Sequence, residues 1–288
     1  MLTPEELRQI RRLHLQTGRR VDNPFAGSYR SAFRGMGMEF EEVRAYAEGD
    51  DIRHIDWNVT ARTGDPFIKQ FREERELSLL LALDVSGSVR FGGGGLDGRT
   101  DKRLQMARLA GALAFAAIRN GDRVGFVAFT DRIEQFLPPR KSRGHAWAVL
   151  QAAFAAHGAG RGTDLGGAME FVGRVLRRRS VVCVLSDFVA PQPFDRALAV
   201  VARRHATSCF LVHDPLERQI PAVGLIELED AETGQRRLVD SASLRARSGV
   251  PERLGRLRRS GARAAAVATN EDPFRQLLLH FQALERVR

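Results

Sequence analysis

From Leu77 onward, the apolar residues form two kinds of pattern. Short continuous apolar runs alternate with longer segments that have helical periodicity. The run "LSLLLALD" at 77–84 is almost entirely apolar, which is typical of a central parallel strand covered on both faces. The next segment, "KRLQMARLAGALAFAAIRNGD" at 102–122, has helical periodicity and stops at Asn120-Gly121, a common helix-ending signal. The same alternation continues to the end of the chain.

The later segments predict a complete α/β fold. Further strands are predicted in "RVGFVAFT", "RIEQFLP", "SVVCVLSD", "TSCFLVHD" and "ARAAAVATN", and further helices in "HAWAVLQAAFAAH", "LGGAMEFVGRVLRRR", "PFDRALAVVARRH" and "PFRQLLLHFQALERV". "VGLIELED" and "RRLVD" flank a turn signal and predict a hairpin. This order favours a doubly wound, mostly parallel sheet between two helical layers. In such a sheet the functional crevice lies at the carboxyl ends of the strands.

Residues 1–75 show a different pattern. After a predicted first helix, the segment contains few helical stretches and several turn signals, of which Gly49-Asp50-Asp51 is one of the strongest. We therefore expect a helix plus strand-and-loop extension at 1–75, packed on an α/β domain at 76–288 that includes the C-terminal hairpin and helices. The last predicted helix carries an apolar face that we expect to cover the core. That face comprises Phe274, Leu277, Leu278, Phe281 and Leu284.

Polar side chains stand where the predicted strands end. Asp84, Ser86 and Ser88 leave the first strand, and Asp187 ends "SVVCVLSD". Thr163 lies in the glycine-rich "GRGTDLGG", directly before a predicted helix. Because the carboxyl ends of parallel strands meet at one edge of a sheet, we expect these side chains to converge there.

Carboxylate and hydroxyl oxygens are hard ligands, which suit Mg²⁺ or Mn²⁺ rather than zinc or copper. Two aspartates would neutralise the ion, and a coordination position would remain for a carboxylate from another molecule. No general base is predicted beside the site, so it suits gripping an acidic partner better than catalysis. Each residue also has a structural interpretation: the serines as turn formers, Thr163 or Asp164 as a helix cap, and Asp187 as a strand end.

Three motifs, "DVSGS", "GRGTDLGG" and "LSDF", resemble the metal-ion-dependent adhesion site of von Willebrand factor type A domains, over about residues 77–214. The upstream block "GMGMEFEEVRAYAEGDDIRHIDWNVTARTGDPFIKQFREER" resembles the bacterial and archaeal family called domain of unknown function fifty-eight. In that family the block directly precedes the adhesion-type motif. The two resemblances together span at least 35–240.

The resemblance implies a von Willebrand factor A-like fold with a magnesium or manganese site. It assigns the metal to Asp84, Ser86 and Ser88, directly or through water, with Thr163 and Asp187 completing the shell. Members of the family are described as companions of MoxR-type AAA+ ATPases, which implies a role in ATPase-assisted maturation or assembly. Many relatives carry membrane helices before this block, but nothing before Gly35 is apolar enough for one. We expect a cytoplasmic protein.

These observations favour a non-enzymatic, magnesium-dependent protein-interaction module, an adaptor that binds an acidic side chain of a MoxR-type ATPase or of its client. One alternative is a metal-dependent hydrolase that uses the same ion to activate water. A weaker alternative is a basic RNA-binding accessory protein.

The net charge of +10 invites a nucleic-acid interpretation. However, Lys69, Lys102 and Lys141 are the only lysines among 45 basic residues, and the arginines are scattered along the chain. Such a ratio is more typical of a GC-rich genome than of phosphate contacts. Nucleic acid is therefore not the expected partner.

Several other segments carry weaker signals. "DDIRHIDW" gathers Arg53, Asp56 and Trp57, which suit either a partner-binding anchor or a structural cluster, with Arg53 paired to a nearby carboxylate and Trp57 covering the core. We favour the structural interpretation. "FGGGGLDGRTDK" lacks the Gly-Lys-Ser/Thr ending of a phosphate-binding loop and predicts a flexible connector. The two cysteines, Cys183 and Cys209, lie in apolar strand-like runs and are expected to be buried thiols.

Overall fold

The structure is a computed structural model, and it describes residues 26–33, 38–73, 77–91, 100–156, 158–160, 162–217, 224–229, 234–241 and 249–286. The first predicted helix, at the N-terminus, and the glycine-rich stretch at 92–99 lie outside these residues. The described strands are β1 Met38–Ala45, β2 Phe67–Glu73, β3 Ser78–Asp84, β4 Arg123–Phe129, β5 Ile133–Arg140, β6 Val181–Ser186, β7 Ala206–His213, β8 Leu225–Glu229, β9 Arg236–Asp240 and β10 Arg263–Ala268. The described helices are α1 Ala26–Ala32, α2 Trp57–Thr63, α3 Lys102–Arg119, α4 Arg143–Ala155, α5 Leu165–Val175, α6 Asp195–Arg204, α7 Val250–Arg259 and α8 Pro273–Arg286.

A six-stranded sheet in the order β10-β7-β6-β3-β4-β5 forms the centre of the fold. All neighbouring strands run parallel except β4 and β5, which pair antiparallel at one edge. The central strand is β3, whose apolar residues are fully buried, as its continuous apolar run predicts. The predicted fold class, a doubly wound and mostly parallel α/β sheet, is confirmed.

Alternate residues of β3 face two separate cores, because side chains of a strand point to opposite faces of the sheet. Leu81 and Leu83 belong to a core formed with α1, α3, α4 and α8. Leu80 and Ala82 belong to a second core formed with α5, α6 and α7. These two helical layers cover the sheet on both faces, which explains why the strand reads as uninterrupted apolar sequence.

The edge strand β5 contains Pro138 and Pro139, which have no N–H group to offer to a further strand. The pairing of β4 with β5 shifts register between Val124 and Phe126. Gly125 lies at this irregularity, and a Cβ there would stand 2.8 Å from the Pro139 nitrogen and 2.9 Å from the Leu137 carbonyl oxygen. Only glycine lets the two strands approach this closely.

The N-terminal and C-terminal helices of the described chain meet in an aromatic cluster. Tyr29 and Phe33 pack edge-on against Phe281 of α8, with ring centroids 5.7 and 5.6 Å from it, and all three side chains are buried. The predicted apolar face of α8 is confirmed as core by buried Leu277, Phe281 and Leu284. The predicted hairpin is confirmed by the antiparallel pairing of β8 with β9.

Trp57 departs from the structural interpretation of its segment. Asp56 caps α2 by accepting hydrogen bonds from the backbone N–H groups of Asn58 and Val59, which fixes Trp57 as the first helical residue. There its side chain is 70% exposed, so the expectation that Trp57 covers the core is wrong. Arg53 does pair with a nearby carboxylate, that of Asp51, at 2.6 Å.

The buried His280 should make the protein less stable as the pH falls. Its Nε2 lies 3.0 Å from Ser208 Oγ, and burial, with Arg263 nearby, lowers the pKa of His280 to about 4. An unfolded chain binds this proton near pH 6.5, so stability is lost as the pH falls from 6.5 toward 4. The imidazole should thus account for about 2 kcal/mol of lost unfolding free energy between pH 7 and pH 5.

Urea denaturation of wild type and His280→Gln at pH 7 and pH 5 measures this difference. The variant should lose less stability between the two pH values, whatever its stability at pH 7. Equal losses in both proteins would contradict the prediction.

Candidate functional site

Asp84 ends β3 with a fully buried carboxylate whose two oxygens both accept hydrogen bonds. Oδ1 accepts from the backbone N–H of Ser86 at 2.9 Å, and Oδ2 accepts from the hydroxyl of Ser186 at 2.6 Å. Ser186 is the last residue of the neighbouring strand β6 and in turn accepts the Phe188 N–H at 2.8 Å. The ends of β3 and β6 are therefore tied together through this carboxylate.

The loop after β3 places two hydroxyls beside Asp84. Val85 extends the β3–β4 pairing by one residue, since its N–H donates to the Phe129 carbonyl oxygen at 2.9 Å. Val85 and Val89 are both buried and anchor the loop in the core. Between them Ser86 Oγ lies 3.2 Å from Ser88 Oγ. The two buried valines that flank this stretch thus fix the loop that carries the pair of hydroxyls.

Asp187 follows β6 in a tight turn. Its Oδ1 accepts the Val189 N–H at 3.1 Å, and the intervening Phe188 has a φ of 54°, in the left-handed region that non-glycine residues rarely adopt. Phe188 is buried and packs near Phe194, which holds this backbone conformation in place. Such conformations persist where the surrounding packing enforces them, and they cluster at functional sites.

The surroundings of Asp84 disfavour its ionised form. Burial and, as a smaller cause, the charge of Asp187 together raise the pKa of Asp84 to about 6, although the donors from Ser186 and Ser86 act in the opposite direction. A fully buried carboxylate next to a second one calls for a nearby positive charge. Such a pair therefore favours a positive charge close by.

Lys102, the first residue of α3, supplies one such charge from within the chain. Its Nζ donates to Asp187 Oδ2 at 2.8 Å and lies 2.9 Å from Glu217 Oε1, and the side chain is only 4% exposed. Burial acts to lower the pKa of Lys102, but the charges of Asp187 and Glu217 outweigh it and raise the pKa overall. Lys102 is held as an ammonium ion.

Thr163 is buried in a loop that packs against the same edge of the sheet. The loop is fastened by Glu134, whose Oε1 accepts both the Thr130 hydroxyl at 2.7 Å and the Gly160 N–H at 2.8 Å. A Cβ at Gly158 would stand 2.7 Å from the Val85 carbonyl oxygen, so this loop lies directly on the one that carries the serines.

The helix-capping alternative belongs to Asp164 rather than to Thr163. Asp164 Oδ1 accepts the Gly167 N–H at 2.8 Å and caps α5, while its own N–H donates to the Thr130 carbonyl oxygen at 2.9 Å. Thr163 is thereby held immediately before the helix.

The structure brings the predicted residues together to different degrees. Asp84, Ser86 and Ser88 form one hydrogen-bonded group, and Asp187 joins it through the neighbouring Ser186 and through its charge. Thr163 lies in an adjoining buried loop. Within the described ranges no three His, Cys, Asp or Glu side chains gather as a metal cluster. The donor set is instead a mixture of carboxylates and hydroxyls, and this mixture fits a hard divalent ion.

Sequence reasoning missed Lys102, Ser186, Glu217 and Glu134. The sequence pattern predicts Lys102 only as the start of a helix after a connector, but one signal in the composition singles it out. It is one of three lysines among 45 basic residues, so the composition of the chain would favour arginine at this position.

The segment that contains Arg53, Asp56 and Trp57 is separate in character. Its polar groups are satisfied locally: Arg53 pairs with Asp51, and Asp56 caps α2 and lies 3.4 Å from Lys69 Nζ. Ile52 and Trp57 are 66% and 70% exposed. These residues do not form part of the Asp84 site.

None of the helices in the described parts of the chain is both long enough and apolar enough to span a membrane. Residues 42–259 match the family model described as "Protein of unknown function DUF58". The chain is 33% identical over 233 residues to Rv1480, an uncharacterized protein of Mycobacterium tuberculosis, and the match covers 80% of this chain and 72% of that protein.

Among solved structures, the chain is similar to the conserved hypothetical protein BatB from Bacteroides thetaiotaomicron, with a TM-score of 0.51 and 15% identity over 73% of this chain and 99% of that chain. A von Willebrand factor type A protein from Catenulispora acidiphila is also similar, with a TM-score of 0.41 and 16% identity over 73% of this chain and 42% of that chain. None of these names indicates a catalytic activity. The likeness to BatB supports the fold, and the family match and the identity to Rv1480 show that the chain belongs to the DUF58 family.

Proposed function

We propose that this protein is a magnesium-dependent interaction module that grips an acidic side chain of a partner protein. Asp84, Ser86 and Ser88 would hold Mg²⁺ or Mn²⁺, directly or through water, with Thr163 and Asp187 completing the shell. The ion would supply a positive centre with a position for the partner's carboxylate. Its family and its layered α/β fold agree with an interaction role.

The observation that carries the proposal is the buried Asp84 with its hydroxyl neighbours. Both oxygens of Asp84 accept hydrogen bonds, so the carboxylate is held in one orientation, and the Ser86 and Ser88 hydroxyls stand 3.2 Å apart beside it. Carboxylates and hydroxyls arranged in this way provide hard oxygen ligands, and the hydroxyls fill coordination positions without adding negative charge. Such a metal keeps attraction for an external carboxylate.

The same geometry disfavours the hydrolase alternative. A metal hydrolase needs a group that accepts a proton from the attacking water. In the described part of the chain, the side chains that donate to the Asp84 and Asp187 carboxylates are those of serine and lysine, and Lys102 is held protonated by its two carboxylates. A charged ammonium has no lone pair with which to act as a base.

The partner that we propose is a MoxR-type AAA+ ATPase, or a client that the ATPase helps to mature or assemble. The proposal rests on the family to which the chain belongs and on the preference of the site for a carboxylate. It places the protein as an adaptor in the cytoplasm that presents clients to the ATPase.

Affinity capture of a purified MoxR-type ATPase from the same genome tests this function. Wild-type protein should retain the ATPase in Mg²⁺ and release it in a chelator. Asp84→Ala should remain folded and capture at least about tenfold less, because the metal loses its central ligand. Asp65→Ala removes an exposed aspartate outside the site and should bind as wild type does. Capture that survives both the chelator and Asp84→Ala would contradict the proposal.

A further inference from the structure

Lys102 occupies an unfavourable position unless the site requires its charge. It is the first residue of α3, where the helix dipole presents partial positive charge and cations are disfavoured. Its side chain is buried as well, which carries a further desolvation cost for an ammonium ion. Nothing in the helix itself explains a lysine here, since Asp101 already caps the helix.

The contacts of the ammonium group show what it does instead. Asp187 Oδ2 and Glu217 Oε1 lie 2.8 and 2.9 Å from Nζ, and the Phe91 ring centroid lies 5.6 Å from it. Glu217 also faces Arg253, at 3.8 Å. Lys102 thus lies between Asp187, which is a proposed metal ligand, and Glu217, which is not.

We propose that Lys102 is a tethered cation that competes with the divalent metal for Asp187, and that Glu217 is the alternative ion-pair partner of its ammonium group. The inference rests on the proposed function in that it uses the same metal ligands. Without metal, Lys102 bridges Asp187 and Glu217. When metal binds, the ammonium gives up Asp187 and stays paired with Glu217.

Electrostatics make the two cations compete. Asp187 offers Oδ1 to the Val189 N–H and Oδ2 to Lys102, so both of its oxygens are already engaged. A divalent ion near Oδ2 would repel an ammonium at hydrogen-bonding distance, and in a buried site water screens that repulsion little. Glu217 lowers the cost of the exchange because the ammonium does not have to be left unpaired.

The competition predicts opposite effects for two substitutions, measured as Mg²⁺ dissociation constants by isothermal titration calorimetry. Lys102→Met, which removes the charge and keeps a long apolar side chain, should bind Mg²⁺ at least about tenfold more tightly than wild type. Lys102→Arg retains the charge and should show no such gain. Glu217→Gln should weaken Mg²⁺ binding, since the displaced ammonium loses its second partner.

The double variant Lys102→Met/Glu217→Gln identifies the lysine as the cause. Glu217→Gln should have much less effect in this background than in wild type, because there is no ammonium left to accommodate. Equal effects in both backgrounds would overturn the inference. Because Lys102→Met leaves Asp187 without its counter-charge, thermal unfolding with and without Mg²⁺ accompanies the titrations, and the metal should raise the Tm of this variant more than that of wild type.

The outcomes separate this inference from the proposed function. If wild type binds Mg²⁺ through Asp84 and Lys102→Met binds no more tightly, the competition is refuted while the interaction module stands. If Lys102→Met does not fold, an unchanged or tighter dissociation constant in Glu217→Gln refutes it equally. If neither wild type nor Lys102→Met binds Mg²⁺, both proposals fail.

Discussion

Replacing Asp187 with alanine should lower the free energy of unfolding by about 3 kcal/mol. Within the described residues, the substitution leaves the buried ammonium of Lys102 with Glu217 as its remaining carboxylate. Breaking a buried ion pair by removing one partner typically costs about 3–5 kcal/mol, because the other charge loses its compensation. The lower value applies here because Glu217 stays in place and because Asp84 is relieved of a neighbouring negative charge.

Urea denaturation without divalent metal measures this effect. Two further variants test whether it comes from the buried ion pair. Asp187→Ala/Lys102→Met removes both charges and should recover much of the lost stability, as matched apolar replacement of a buried pair often does. Asp195→Ala breaks a similarly short pair, 2.6 Å from Arg256, but those side chains are 44% and 34% exposed. It should cost about 1 kcal/mol or less. Equal costs for Asp187→Ala and Asp195→Ala would contradict the importance of burial.

Replacing Phe281 with alanine should lower the free energy of unfolding by about 3–5 kcal/mol. Phe281 is fully buried on α8 and is the ring shared by Tyr29 and Phe33 of the N-terminal helical segment. The substitution removes apolar burial and leaves a cavity where the two ends of the described chain meet, and both effects destabilise.

Leu279→Ala is the matched control on the same helix. Leu279 is 49% exposed, so its replacement should change stability by no more than about 0.5 kcal/mol. Urea denaturation of the two variants beside wild type measures both values. A small cost for Phe281→Ala would show that the aromatic cluster does not hold the terminal helices together.

The architecture could be predicted from sequence because local pattern determines most of it. The continuous apolar run of β3 predicts a strand buried on both faces, and alternate residues do face two cores. The rule that polar residues gather at the carboxyl ends of parallel strands led directly to Asp84, Ser86 and Ser88. These inferences need only neighbouring residues and the topology of the sheet.

The parts that could not be predicted depend on distant pairs. The contact of Lys102 with Asp187 joins residues 85 positions apart, and the Ser186–Asp84 hydrogen bond spans 102 positions. Neither pairing leaves a periodic trace in the sequence. The prediction that Trp57 covers the core was wrong for a different reason. The Asp56 cap fixes the start of the helix at Trp57 and leaves the indole in solvent.

The two prolines of β5 bear on how copies of this protein can associate. An open sheet edge with free N–H groups can template the growth of a continuous sheet through neighbouring molecules. Because successive N–H groups of a strand point to opposite sides, one of the adjacent Pro138 and Pro139 removes a donor from that outer edge. Neighbouring copies are thereby discouraged from extending the sheet edge to edge on this side.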